Sequence, residues 1–149
     1  MRCAPTTDTM LLLDNQLCFA VYSASLAMTR LYKPMLDKLQ LTYPQYLVML
    51  ALWEHDGLTV SELGERLSLD SGTLTPLLKR LEVGGHLTRL RDAADERRVR
   101  ISLTATGRRL KVRAAAVPAC LLAATQCAVP ELVALTQQIQ SLRDRIKAA

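Results

Sequence analysis

Aromatic side chains are scarce: one Phe, one Trp and four Tyr in 149 residues, against a hydrophobic fraction of 50%. Such a core is filled mainly by Leu, Val, Ala and Met, which suits packed helices better than a β-sandwich. The four cysteines, Cys3, Cys18, Cys120 and Cys127, form no CxxC pair, and His55 and His86 stand at no ligand spacing from them. Neither a metal nor a cofactor is expected. The longest stretch free of charge, residues 114–130, is interrupted by Pro118, Gln126 and Pro130 and falls short of a bilayer span, so no membrane segment is expected. The opening MRCAPTTDT has no apolar signal core. The expectation is a cytoplasmic chain whose thiols are kept reduced for chemistry or packing. The length fits one domain, and no repeat or long linker interrupts it.

Acidic residues are also in deficit, 14 against 19 basic, for a formal charge of +5. The excess is local. Residues 60–113 hold twelve Lys/Arg and seven Asp/Glu, while the remainder holds seven of each. Within that stretch, residues 89–113 carry nine basic and three acidic side chains, a patch suited to a polyanion.

From about Leu11 to Tyr32 the chain is apolar on most faces, with Leu13, Leu17, Val21, Ala24, Met28 and Leu31 at helical spacing. A helix of that kind needs burial on more than one side, and in a short chain a partner subunit is the simplest source. Lys33-Pro34 ends this helix or starts a short one, and Thr42-Tyr43-Pro44 opens the next, which runs to Asp56-Gly57. Thr59-Val60-Ser61-Glu62 is a capping box for a helix from Val60 to Leu67 or Ser68. A second helix follows, with Leu74, Leu77, Leu78 and Leu81 as its buried stripe. Pro76 places its start near Thr73, with Asp70/Ser71 as the alternative. After Gly85 the period changes to two, predicting a β-hairpin with one basic face across a charged turn, 92–97. A long helix from Thr104 to about Thr125 follows, then a last one starting at Pro130 with Leu132, Leu135, Ile139, Leu142 and Ile146 as its apolar stripe.

Two short helices joined by a tight turn, the second polar and basic outside, followed at once by a basic hairpin, define a winged helix-turn-helix. The fold class is therefore mainly α with a small β-hairpin wing. The second helix fits a major groove about 12 Å wide, and the hairpin reaches the flanking minor groove or phosphates of double-stranded operator DNA. Ser71, Thr73 and Thr75 are small enough to touch base edges, while Lys79, Arg80, Arg89 and Arg100 suit phosphates. Arg97, near the hairpin tip, suits the negative potential of a narrow minor groove.

Cys18 sits in the apolar first helix, where a thiol reads either as a small buried hydrophobe or as a reactive group. Tyr22, Tyr32 and Tyr43 gather around the same region, the last two at the junction where that helix turns back. A phenol in apolar surroundings seeks a hydrogen-bond partner, and a thiolate held by phenolic donors is nucleophilic.

LDNQLCFAVYSAS at 13–25, LTYPQYLVML at 41–50, LWEHDGLTVSELGERL at 52–67, LDSGTLTPLLKRLE at 69–82 and DERRVRISLT at 95–104 resemble the organic-hydroperoxide-sensing repressors (OhrR) of the MarR family. The resemblance implies a homodimeric winged-helix repressor, not an enzyme, in one domain spanning 1–149. Dimerisation helices at about 10–40 and 104–149 would flank a DNA-binding region at about 41–103. It implies Cys18 as the peroxidatic cysteine, Tyr32 and Tyr43 as its hydrogen-bond partners, Tyr22 as an accessory pocket residue and Arg97 as the minor-groove residue. Some members carry a resolving cysteine in the C-terminal helices, and Cys120 and Cys127 are both candidates. Seven residues apart, they face one way if a single helix covers both. Cys3 precedes the similarity and is expected to be a free thiol.

The expected cycle follows. Reduced dimer binds a pseudo-palindromic operator, its recognition helices about 34–36 Å apart. An organic hydroperoxide converts Cys18 to a sulfenic acid, a C-terminal cysteine of the other subunit condenses with it, and the operator is released. A cellular thiol reductant resets the switch. A MarR-type repressor gated by a non-covalent aromatic ligand and a thiol peroxidase are the competing readings.

Overall fold

The computed structural model describes residues 7–149; Cys3 lies outside them. Among the described residues, eight α-helices and one two-stranded antiparallel sheet run in the order α1 (Thr7–Met10), a 3-10 turn (Leu13–Asn15), α2 (Leu17–Leu39), α3 (Tyr43–Glu54), α4 (Val60–Leu67), α5 (Ser71–Val83), β1 (Leu87–Arg91), β2 (Val99–Leu103), α6 (Ala105–Ala114), α7 (Ala116–Thr125) and α8 (Val129–Ala148). The chain divides into two compact units, Met1–Lys111 and Val112–Ala149. Among the described residues no single helix is long and apolar enough to cross a membrane.

In the first unit the core is the winged helix-turn-helix. Leu36, Met49, Leu52, Leu63, Leu74, Leu78, Leu81, Leu87 and Ile101 are fully buried. Each contributes about 1.5–3 kcal/mol by leaving water. The Thr59/Glu62 capping box is present, and Thr42/Gln45 form a second one at the head of α3. Between α4 and α5 the chain turns through Ser68 in a left-handed conformation, and the Leu69 N–H closes on the Gly64 carbonyl at 2.9 Å. A Cβ on Gly64 would lie 2.8 Å from the Leu69 oxygen, so the tight turn requires glycine there.

Several expectations are corrected. The first long helix starts at Leu17, because Gln16 is extended and its amide, with that of Asn15, donates to the carbonyls of Met10 and Thr9, both at 2.6 Å. It also runs through Lys33-Pro34 to Leu39. Pro34 removes one donor only, and the stop is Gln40 in left-handed conformation, with the Leu41 N–H bonded to the Leu36 carbonyl. The recognition helix takes the alternative start, Ser71 rather than Thr73, because Asp70 caps it by accepting from the Thr73 N–H at 2.8 Å. The expected long helix at 104–125 breaks at Ala115, where Pro118 has no N–H for the Ala114 carbonyl. The last helix begins one residue early, at Val129.

The hairpin's single basic face is also corrected. Leu87 pairs with Leu103, Arg89 with Ile101, Leu90 with Arg100 and Arg91 with Val99. Opposed residues share a face, so Arg89 and Arg91 lie on the side of Ile101, and Arg100 lies on the other side with Leu90. The alternation in each strand is right, but the register puts the two sets of arginines back to back.

In the second unit, α7 buries Val117. The helix α8 buries no residue, and Val133, Leu135, Ile139 and Ile146 on it are exposed.

Candidate nucleic-acid interface and thiol region

Ser71 and Thr73 sit exposed in the first turn of α5, and Thr75 is half-buried beside them. The Thr73 hydroxyl donates to Asp70 Oδ2 at 3.2 Å, so Asp70 fixes both its backbone and its side chain. These bonds hold the Asp70 carboxyl below its ordinary range, the Thr73 N–H contributing most. Lys79 and Arg80 lie on the exposed face of the same helix, with no ion-pair partner among the described residues.

The wing turn is built by aspartates. Asp92 accepts from the Ala94 N–H at 2.9 Å and Asp95 from the Arg97 N–H at 3.0 Å, which leaves the exposed Arg97 side chain at the tip. Ser61, Thr75, Arg97 and Arg98 line a cleft of about 260 Å³ between the head of α4, the recognition helix and the wing. Arg89 and Arg100 have internal partners. Arg89 donates to Glu82 on α5 at 2.9 Å, holding that carboxyl low, and Arg100 donates to the Gly57 carbonyl and to Asp92, both at 2.6 Å. They fasten the wing.

Two structural residues of this interface escaped the sequence reading. Asp56 accepts from the Gly57 and Leu103 N–H groups and from Arg108. Gly107 passes so close to the His86 carbonyl that a Cβ would lie 2.0 Å from its oxygen, while its own carbonyl accepts from Trp53 Nε1 at 2.9 Å. Nearby, burial lowers the His86 pKa, and its Nδ1 has no hydrogen-bond partner among the described residues.

The thiol region has two parts. Cys18 is exposed in the first turn of α2, and Tyr22, one turn on and on the same face, is also exposed. Tyr32 and Tyr43 do come together, with ring centroids 5.2 Å apart. Tyr46, read from the sequence only as a residue of the helix, completes the group at 6.0 Å from Tyr32 and 6.4 Å from Tyr43. Its signal was the i, i+3 spacing from Tyr43 on one helix. Burial raises the pKa of all three phenols, with charge repulsion from its neighbours adding to that of Tyr32, so they remain protonated donors at neutral pH. The structure does not bring Cys18 to this group: fourteen residues of helix, at 1.5 Å each, place Tyr32 about 21 Å along the axis. Cys120 is exposed on α7. Cys127 lies beyond the end of that helix, past Gln126 in left-handed conformation, with its thiol donating to the Thr125 carbonyl at 3.4 Å. The single helix that would align the two cysteines is not formed. Among the described residues no group of three or more His, Cys, Asp and Glu side chains is placed to hold a metal.

A capped helix pair, a recognition helix with a free basic face and an arginine-tipped wing define a winged-helix DNA-binding regulator. Comparison with known proteins agrees. The family model for the transcriptional regulator SarA/Rot matches residues 30–113. The chain is 53% identical over 136 residues to the HTH-type transcriptional regulator TtmR of Methylorubrum extorquens, covering 91% of this chain and 70% of that one. It is 50% identical over 134 residues to the organic hydroperoxide resistance transcriptional regulator of Bacillus subtilis, covering 90% and 91%. A crystal structure of overoxidized AbfR bound to DNA superposes with a TM-score of 0.77 at 34% identity, covering 95% of this chain and 99% of that one. AbfR, from Staphylococcus epidermidis, is also known reduced on DNA and with a disulfide formed. The chain belongs to the MarR family of winged-helix transcriptional regulators, with the organic hydroperoxide resistance regulators among its near relatives.

Proposed function

We propose that this regulator is an organic-hydroperoxide-sensing repressor that acts as a homodimer. The observation that carries the reading is the separation, within one chain, of an exposed thiol at the head of α2 from a cluster of three protonated phenols about 21 Å further along. An antiparallel meeting of two α2 helices brings Cys18 of one copy to Tyr32 and Tyr43 of the other, and covers the exposed Leu17, Phe19, Val21 and Tyr22. The redox forms in which AbfR has been solved support the same cycle.

In the reduced dimer each recognition helix enters a major groove with Ser71, Thr73 and Thr75 foremost. Lys79 and Arg80 meet phosphates, and Arg97 enters the minor groove. The Cys18 thiolate attacks an oxygen of the hydroperoxide, the O–O bond breaks, the alcohol leaves with the proton, and the sulfur becomes a sulfenic acid. The thiol of Cys120 or Cys127 from the second copy then displaces water from that sulfur to form a disulfide, which requires the two Cα atoms within about 7 Å. If the reduced thiols lie further apart than this, the helices must move, and that movement changes the spacing of the recognition helices. A cellular thiol restores both cysteines.

The test is titration of a duplex selected by the reduced protein, with and without one equivalent of cumene hydroperoxide. Release by one equivalent is expected. Binding that persists at full Cys18 oxidation would sink the reading, and peroxide consumed over many turnovers would make the protein a peroxidase.

A further inference from the structure

We propose that Asp56 is a positioning residue of the DNA interface: its carboxylate sets the angle of the wing and hence the place of Arg97. The proposal rests on the winged-helix reading of the interface. Asp56 stands just past the end of α3. Its Oδ1 accepts from the Gly57 N–H and from the Leu103 N–H, both at 2.8 Å, and its Oδ2 accepts from Arg108 at 3.0 Å. Leu103 is the last residue of β2, and Arg108 lies in the first turn of α6. One carboxylate therefore ties the end of α3, the base of the wing and the head of the following helix. The bonds are charge-assisted, which makes them strong as well as directional.

The neighbouring backbone continues the attachment. The Leu58 carbonyl accepts from the Ile101 N–H at 2.8 Å, and the Gly57 carbonyl accepts from Arg100, whose other nitrogen holds Asp92 at the start of the wing turn. Residues 56–58 thus form the mount on which the hairpin hangs. A two-stranded hairpin has little stiffness of its own direction, so its aim follows its mount. Arg97 is six residues from Leu103, a lever of about 20 Å in extended chain. A rotation of about 10° at the base moves the tip by about 3 Å, which exceeds the tolerance of a hydrogen bond.

The experiment is a double-mutant cycle in the reduced full-length protein, using a duplex selected by the parent from a random pool. Asp56→Ala should weaken binding roughly tenfold, the size of coupling seen between residues of one network, and should add almost nothing in the Arg97→Ala background. Asp56→Asn keeps the oxygen that the backbone amides need and should fall between parent and Asp56→Ala. If Asp56→Ala fails to fold, the same cycle with Asp56→Asn reads the coupling at smaller amplitude. Losses that simply add, or binding unchanged in a folded Asp56→Ala, overturn the proposal. A parent that selects no duplex overturns the DNA-binding reading instead.

Discussion

The segment from Leu36 to Ile101 and the helices outside it solve the burial problem differently. The largest fully buried side chains among the described residues all fall within that segment. Its helices are capped by Thr42, Thr59 and Asp70, and its wing is fastened by Asp56, Glu82 and Asp92. Outside it, Leu17, Phe19 and Val21 on α2 and Val133, Leu135 and Ile139 on α8 remain open to solvent. A helix keeps such a stripe only if something else covers it. The core and caps of the winged helix-turn-helix are closed within one chain, whereas the proposed sensing site takes Cys18 from one copy and its phenols from another.

Loss of the thiol should have the largest effect. Cys18→Ser should bind DNA as the parent does and lose its peroxide response entirely, read in the same titration. Oxidised parent should run as a covalent dimer on a non-reducing gel, and either Cys120→Ser or Cys127→Ser should abolish that band, because a two-fold dimer forms two equivalent bridges. A band surviving the double substitution would defeat the C-terminal resolving model. Equal peroxide response in Cys18→Ser would return the chain to the ligand-gated class.

Burial separates the two regions next. Leu78→Ala should cost about 2–5 kcal/mol at every protein concentration, since the site is closed within the chain. Ile139→Ala should act through association, lowering Tm most in dilute protein. Melting curves over a hundredfold concentration range distinguish them, and a concentration-independent loss for Ile139→Ala would mean its face is not a subunit contact. At the DNA surface, Arg97→Ala should weaken binding by about 1–3 kcal/mol, while Lys79→Ala should flatten the salt slope by about one unit. Unchanged binding in both would remove their assignment.

The same division governs what the sequence made legible. Helix pair, wing and the capping box of α4 could be read because each is written in neighbouring residues, as in Thr59-x-x-Glu62. Boundaries went wrong where a side chain reached across a break, as Gln16 does to the Met10 carbonyl, or where a proline was tolerated at 34 and disruptive at 118. The basic face of the hairpin was misjudged because alternation gives the faces of each strand, and only the register says which faces coincide. Asp56 and Gly107 were silent because their partners, Leu103 and His86, are distant in sequence. The phenol pair of Tyr32 and Tyr43 was legible as a grouping, but its distance from Cys18 followed only from the uninterrupted run of α2.

The smallest effect should appear in acid. Glu62, Asp70, Glu82 and Asp92, all in the capped and fastened region, have carboxyls held below their ordinary range, Glu82 chiefly by the Arg89 side chain and the other three chiefly by backbone N–H groups, with Arg100 adding at Asp92. A carboxyl with a depressed folded pKa contributes stability that is fully present above its unfolded value, roughly pH 4, and is lost as pH falls through the folded value. Glu82→Gln should therefore melt below the parent at neutral pH, and the gap should close as the pH drops from about 5 toward 3. Trp53, the single tryptophan, reports the transition locally because its indole N–H is bonded to Gly107 where α6 begins. A gap that stays constant across this range would mean that Glu82 acts by packing against Arg89 rather than by charge, and that the wing's attachment does not titrate.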